Sequence, residues 1–109
     1  MSFTSDKFNE SLYLEEGINN KTLKEYLYNL AEVAGLKVIY RLDDYDVHHK
    51  NGIKTDNSFD NVCLFEGSAH KRYHNELENN PKQDRYELLK EYRFFVVDIA
   101  EFLKNLLNK

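Results

Sequence analysis

Four histidines, all lying between His48 and His74, constrain this chain more than any other feature of its sequence. Two stand in tandem in "DVHHKNG" and two stand four apart in "AHKRYH". Residues four apart share one face of an α-helix, so the imidazoles of His70 and His74 can reach a single ion. Neighbours in a strand point to opposite faces, so His48 and His49 cannot both join them from regular strand geometry. One of the tandem pair can therefore close a metal site from a strand end. The other is free to face water as a proton acceptor, work suited to a group that titrates near neutrality. Three neutral imidazoles suit zinc, nickel or manganese better than magnesium, although hard ions also act at such sites. One divalent metal ion is the cofactor this pattern predicts.

The surrounding segments supply elements to hold such a site. "NNKTLKEYLYNLAEVAGLK" reads as a helix capped by Asn20 or Thr22, with Leu23, Tyr26, Leu27, Leu30 and Ala34 at helical spacing and Gly35 in the stop position. Before it, Phe8, Leu12 and Leu14 give a weaker pattern that fits a short helix or a surface arm. "LKVIYRL" is β-branched and aromatic and predicts a strand. "HHKNGIKTDNSFDN" is a loop with a strong Asn51-Gly52 turn pair, and "VCLF" is a second, short strand. A helix opening near Glu66 to Ser68 carries His70 and His74 and ends before Pro81.

From residue 82 to 108 one long amphipathic helix is expected. Its seam is Leu88, Tyr92, Phe95, Ile99, Phe102 and Leu106, widened by Leu89, Val96 and Leu103. So wide a stripe predicts burial on the domain or a homodimer contact. Residues 1–36 form an N-terminal helical region, 37–78 the histidine-bearing motif and 82–108 the closing helix. With 109 residues the chain makes one domain with a modest core.

Cys63 is the only cysteine, which excludes an internal disulfide and a zinc ribbon of paired cysteines; its apolar surroundings make it core. No apolar run is long enough for a membrane span, and the N-terminus lacks the marks of a signal peptide, so a cytoplasmic protein is expected. The net charge of −4 is unpromising for a nucleic-acid partner. The motif itself is not acidic: Lys50, Lys54, Lys71 and Arg72 stand there against Asp56, Asp60 and Glu66.

The stretch "VHHKNGIKTDNSFDNVCLFEGSAHKRYH" resembles the HNH endonuclease motif, most closely its phage-type single-domain form, with the tandem histidine, Asn-Gly turn, "TDN" and "DN" elements. From Asn61 onward the spacing also resembles that of the colicin DNases. The resemblance implies an α+β fold: a ββα-metal (His-Me finger) core with a flanking N-terminal helix and the long C-terminal helix. It implies that His48, His70 and His74 hold the metal. His49 would activate water for attack on a DNA phosphodiester, and Asn61 would brace the loop that aims it. Phosphate-binding cations are then required nearby, and Arg72, Lys71 and Lys50 are the expected ones. DNA is the implied partner, in a bacterial host cell, with a phage or mobile-element origin.

The chain departs from many relatives in lacking the cysteine pairs of a structural zinc ribbon, and no separate DNA-reading module is evident outside the motif. An alternative is therefore a catalytically silent protein of the same fold, with a structural metal, that binds a host protein or DNA without cutting. Each histidine alone also has an ordinary reading as a core or surface residue. Together those readings leave unexplained why all four gather in one motif.

Overall fold

The structure, a computed structural model, describes residues 20–108. The pattern at Phe8, Leu12 and Leu14 lies outside the described residues. Four α-helices and a three-stranded antiparallel sheet make an α+β domain. In chain order these are α1 (Asn20–Val33), β1 (Tyr45–His49), β2 (Val62–Glu66), α2 (Gly67–Asn79), α3 (Arg85–Glu91), β3 (Val96–Val97) and α4 (Ile99–Leu107).

The sheet order is β1-β2-β3, so β2 lies in the middle and β1 has an open edge among the described residues. Val62, Cys63, Leu64 and Phe65 are all buried, because β2 is covered on both faces. One face packs Tyr45, Val62, Leu64 and Val97 against Leu23, Leu27 and Ala31 of α1 and Ile99 of α4. The other packs Phe65 against Ala69 and Tyr73 of α2 and Leu88 of α3. A strand buried on both sides loses the apolar–polar alternation of a half-exposed one, which is how "VCLF" reads.

Helix α1 ends as expected at Gly35, whose φ of +87° needs no Cβ. The Leu36 N–H then donates to the Ala31 carbonyl at 3.0 Å, the closing bond of a Schellman turn. The expected strand "LKVIYRL" is corrected: among the described residues Leu36 to Arg41 pairs with no strand, and β1 begins only at Tyr45. Its alternation was genuine, because Leu36, Val38 and Tyr40 pack on the α1 side of the core while Lys37, Ile39 and Arg41 face out. One-sided burial produces that pattern with or without a hydrogen-bonded neighbour.

The expected single helix over 82–108 is also corrected. Its first turn is not helical; α3 starts after Asp84, whose carboxylate accepts from the backbone N–H groups of Tyr86 and Glu87. It ends at Glu91, and a short 3-10 turn (Arg93–Phe95) leads to β3. Val96 and Val97 then pair with Phe65 and Leu64. Asp98 opens α4 by accepting from the Glu101 N–H at 3.1 Å. The stripe expected to serve a dimer contact is thus divided, with Leu88 in one core cluster and Ile99 in the other. β-branched residues before a capping aspartate had more say than the heptad spacing.

Asp98 does two jobs, since its Oδ2 also lies 2.6 Å from the ammonium of Lys50. Replacing Asp98 by Ala removes the cap and leaves the largely buried Lys50 without its counter-ion. The expected loss is roughly 2 kcal/mol of unfolding free energy, read from urea titrations. Asp98→Asn, which keeps a capping oxygen, should lose less.

Candidate metal centre

The hairpin β1–β2 and helix α2 bring three of the four histidines together. His48, the penultimate residue of β1, stands opposite Cys63. Its ring lies edge-on to Phe65 and Tyr73, with only 1 % of the residue exposed. Helix α2 begins immediately after β2, capped by the Glu66 carboxylate, which accepts from the backbone N–H groups of Ser68 and Ala69. That tight junction turns His70 and His74 back toward β1. His48 Nδ1 lies 3.1 Å from His70 Nε2, and His74 Nε2 lies 2.9 Å from the same atom. One ligating nitrogen from each ring falls within 4.8 Å of the others, so the three can hold a metal ion.

Proton counting supports that fit. An imidazole nitrogen has one in-plane position, filled either by a hydrogen or by a lone pair. His70 Nε2 cannot make a good hydrogen bond to both neighbours from that single position. Its other nitrogen, Nδ1, lies 3.2 Å from Asp46 Oδ2, so an Nδ1–H donating to the carboxylate leaves the Nε2 lone pair for the shared point. Three lone pairs facing one point repel each other; a cation there satisfies all of them. Zinc–nitrogen bonds of about 2.0–2.1 Å place tetrahedral ligands roughly 3.3 Å apart, near the two separations from His70 Nε2.

The electrostatics agree. Burial first, then the neighbouring His70 and His74, push the His48 pKa down to about 3. The His74 pKa is lowered for the same leading reason, with His70, Arg85 and Lys54 adding to it. Both rings are thereby kept neutral, the form that binds metal.

His49 points away from this cluster. Its Nε2 lies 2.8 Å from Asn57 Oδ1, and an amide oxygen accepts, so Nε2 carries the proton and Nδ1 keeps a lone pair. The residue is 8 % exposed but shares the wall of a cleft of about 650 Å³ with His70, His74 and Asp46. Asn61 braces the loop between the strands, as expected. Its Oδ1 accepts from the Asn51 N–H at 3.0 Å, and its Nδ2 donates to Asn51 Oδ1 and to the Asp56 carbonyl, both at 2.9 Å. Asp56 closes the circuit by accepting from Asn51 Nδ2 and the Ser58 hydroxyl. Those bonds also hold the Asp56 carboxyl pKa below its ordinary value, those from Ser58 most of all.

The three expected phosphate-binding cations do not line the cleft. Lys50 is paired with Asp98. Arg72 lies over the ring of Phe95, 5.6 Å from its centre, and Lys71 is exposed elsewhere on α2. Lys21 and Lys24 of α1 and Lys54 of the loop stand in the wall instead. Lys54 is one of the motif's four cations, whereas Lys21 and Lys24 are not legible from the motif because α1 covers the opposite face of the sheet from α2. The sequence reading also missed Asp46, although Asp46 and His48, two apart in a strand, share a face.

Among the described residues no helix is long and apolar enough to cross a membrane. The chain matches no protein-family model, no curated protein and no solved structure.

Two outcomes follow from this centre. Because His48 titrates near 3 folded and near 6.5 unfolded, its contribution to stability is complete above pH 6.5 and is lost as the pH falls toward 3. Without metal, unfolding free energy should drop by roughly 2 kcal/mol between pH 7 and pH 5 from this group alone, and His48→Gln should remove that part of the slope. Calorimetric titration with zinc should show one ion per chain, and His70→Ala or His74→Ala should weaken binding at least tenfold.

Proposed function

We propose that this chain is a metal-dependent endonuclease of the HNH type, a ββα-metal nuclease that hydrolyses DNA phosphodiester bonds. The observation that carries the reading is the division of the tandem histidines. His48 turns inward to His70 and His74, while His49 turns to the cleft with its tautomer fixed by Asn57. A structural metal clip accounts for the first three rings but leaves the fourth, and its asparagine partner, without a purpose.

His48, His70 and His74 would hold the ion, and zinc, manganese, nickel or magnesium is the divalent set such sites use. When bound, it supplies positive charge for the phosphate and the departing 3′ oxygen. Three protein ligands match the composition of catalytic centres rather than closed four-ligand structural ones. Asp46 holds His70 from behind through Nδ1. His49 Nδ1 is the atom that takes a proton from water, and the bond from Nε2–H to Asn57 stops the ring from turning over. Asn61 fixes the backbone at Asn51 and so keeps that loop, and Asn57 with it, at a set distance from β1.

The chain's net charge of −4 and the small exposure of His49 favour the silent alternative, a protein of this fold that retains its metal and binds without cutting. Plasmid DNA incubated with the protein and Mg²⁺, Mn²⁺, Ni²⁺ or Zn²⁺ separates the two. Nicking or linearisation by the wild type is expected, reduced 10²- to 10⁴-fold in His49→Ala with the zinc stoichiometry unchanged. A wild type that holds metal but cuts under none of these conditions, or a His49→Ala protein that cuts equally well, overturns the proposal.

A further inference from the structure

We infer that Lys21 and Lys24 of α1, together with Lys54 of the loop, grip the backbone of duplex DNA as it crosses the open edge of β1. The inference rests on reading the cleft as a nuclease site, and it names which residues position the substrate there.

Three facts converge. Lys21 and Lys24 are three apart in the first turns of α1, on one side of that helix, and Lys54 comes from a separate element. All three line the same cleft as His49, His70 and His74. Among the described residues none forms an ion pair with any of them, whereas Lys50, Arg41 and Lys90 are each paired. The cleft therefore holds three uncommitted lysines against one carboxylate, Asp46, which is already bonded to His70.

A chain with a net charge of −4 has no overall attraction for DNA, so a local excess of cations matters for where a duplex can approach. Compact ammonium groups on long stems suit phosphates without fixing a sequence. Cations drawn from α1 and from the loop spread along an extended ligand, as a backbone requires and a single free phosphate does not. Arg72, held over Phe95, and Lys71, which does not line the cleft, contribute little by this account.

The test uses the full chain loaded with zinc and carrying His49→Ala to prevent turnover, its fold checked by circular dichroism. Binding to a fluorescent duplex is followed by anisotropy over a range of salt. Each phosphate neutralised contributes about 0.9 to the slope of log affinity against log salt. Lys21→Ala, Lys24→Ala and Lys54→Ala should each lower that slope by about 0.9, and the Lys71→Ala/Arg72→Ala pair should leave it unchanged. An unaltered slope in the three single variants, or an equal fall in the double one, overturns the inference. So does failure of the zinc-loaded chain to retain duplex at all.

Wild-type cleavage measured in parallel keeps this separate from the nuclease reading. Cutting that is indifferent to the three lysines sinks the inference and spares the nuclease. Salt-dependent binding through them without cutting sinks the nuclease and spares the contact.

Discussion

Burial of β2 on both faces is the constraint from which the rest of this architecture follows. Val62 and Leu64 need apolar cover on one side and Phe65 on the other, so helices must pack on both. Fully burying side chains of this size contributes about 1.5–3 kcal/mol each, far more than any surface pair in so small a domain. The cover on one side is α1 with α4, and on the other α2 with α3. Because α2 follows β2 with no connecting loop, its first turns are forced back over β1. The meeting of His70 and His74 with His48 is thus a consequence of core packing.

The same two-sided arrangement sorts the chemistry. Alternate residues of β1 face different helices, so Asp46 and His48 turn toward α2 whereas Val47 turns toward α1. His49, the last residue of the strand, pairs with Val62 while its side chain is tied to the loop. One short strand therefore supplies one of the three clustered imidazoles, the carboxylate bonded to another, and a separate imidazole tied to the loop. The loop that follows can hold its shape because its polar groups satisfy each other: Asn51, Asp56, Ser58 and Asn61 form a closed hydrogen-bonded set. Arg85 of α3 anchors the loop from outside by donating to the Lys50 carbonyl at 2.9 Å.

Much of this was legible in the residues, and the failures have identifiable causes. Helix α1 with its Gly35 stop, the strand "VCLF" and the helix of His70 and His74 all follow from local chemistry, whereas a bracing role for Asn61 comes only from the family resemblance. The first strand was placed too early, since "LKVIYRL" has strong β propensity and "YDVHH" has little. Pairing with β2 outweighs propensity in β1, and among the described residues no strand pairs with residues 36–41. The last third was read as one helix because heptad spacing persists across it. Val96-Val97 and the capping pair Asp98 and Glu101 were the contrary signal, and tertiary pairing with β2 decided in their favour. Two of the cleft's three lysines could not be found from the motif, since Lys21 and Lys24 reach it only through the way α1 packs across the sheet.

Stability and chemistry pull against each other at His48. Its Nε2 is buried without a hydrogen-bond partner while Nδ1 faces the other imidazoles. A buried polar group left unsatisfied costs about 1–3 kcal/mol, and a domain of this size has few such units to lose. The ring can be kept neutral there only because Phe65 and Tyr73 exclude water, which is also what leaves Nε2 alone. A cation bound at the converging nitrogens offsets that cost, because it binds the folded chain and not the unfolded one. The same exclusion of water that makes the site expensive makes its lone pairs available. On this argument the contacts that bury His48 set both its share of the folding free energy and the availability of its lone pair.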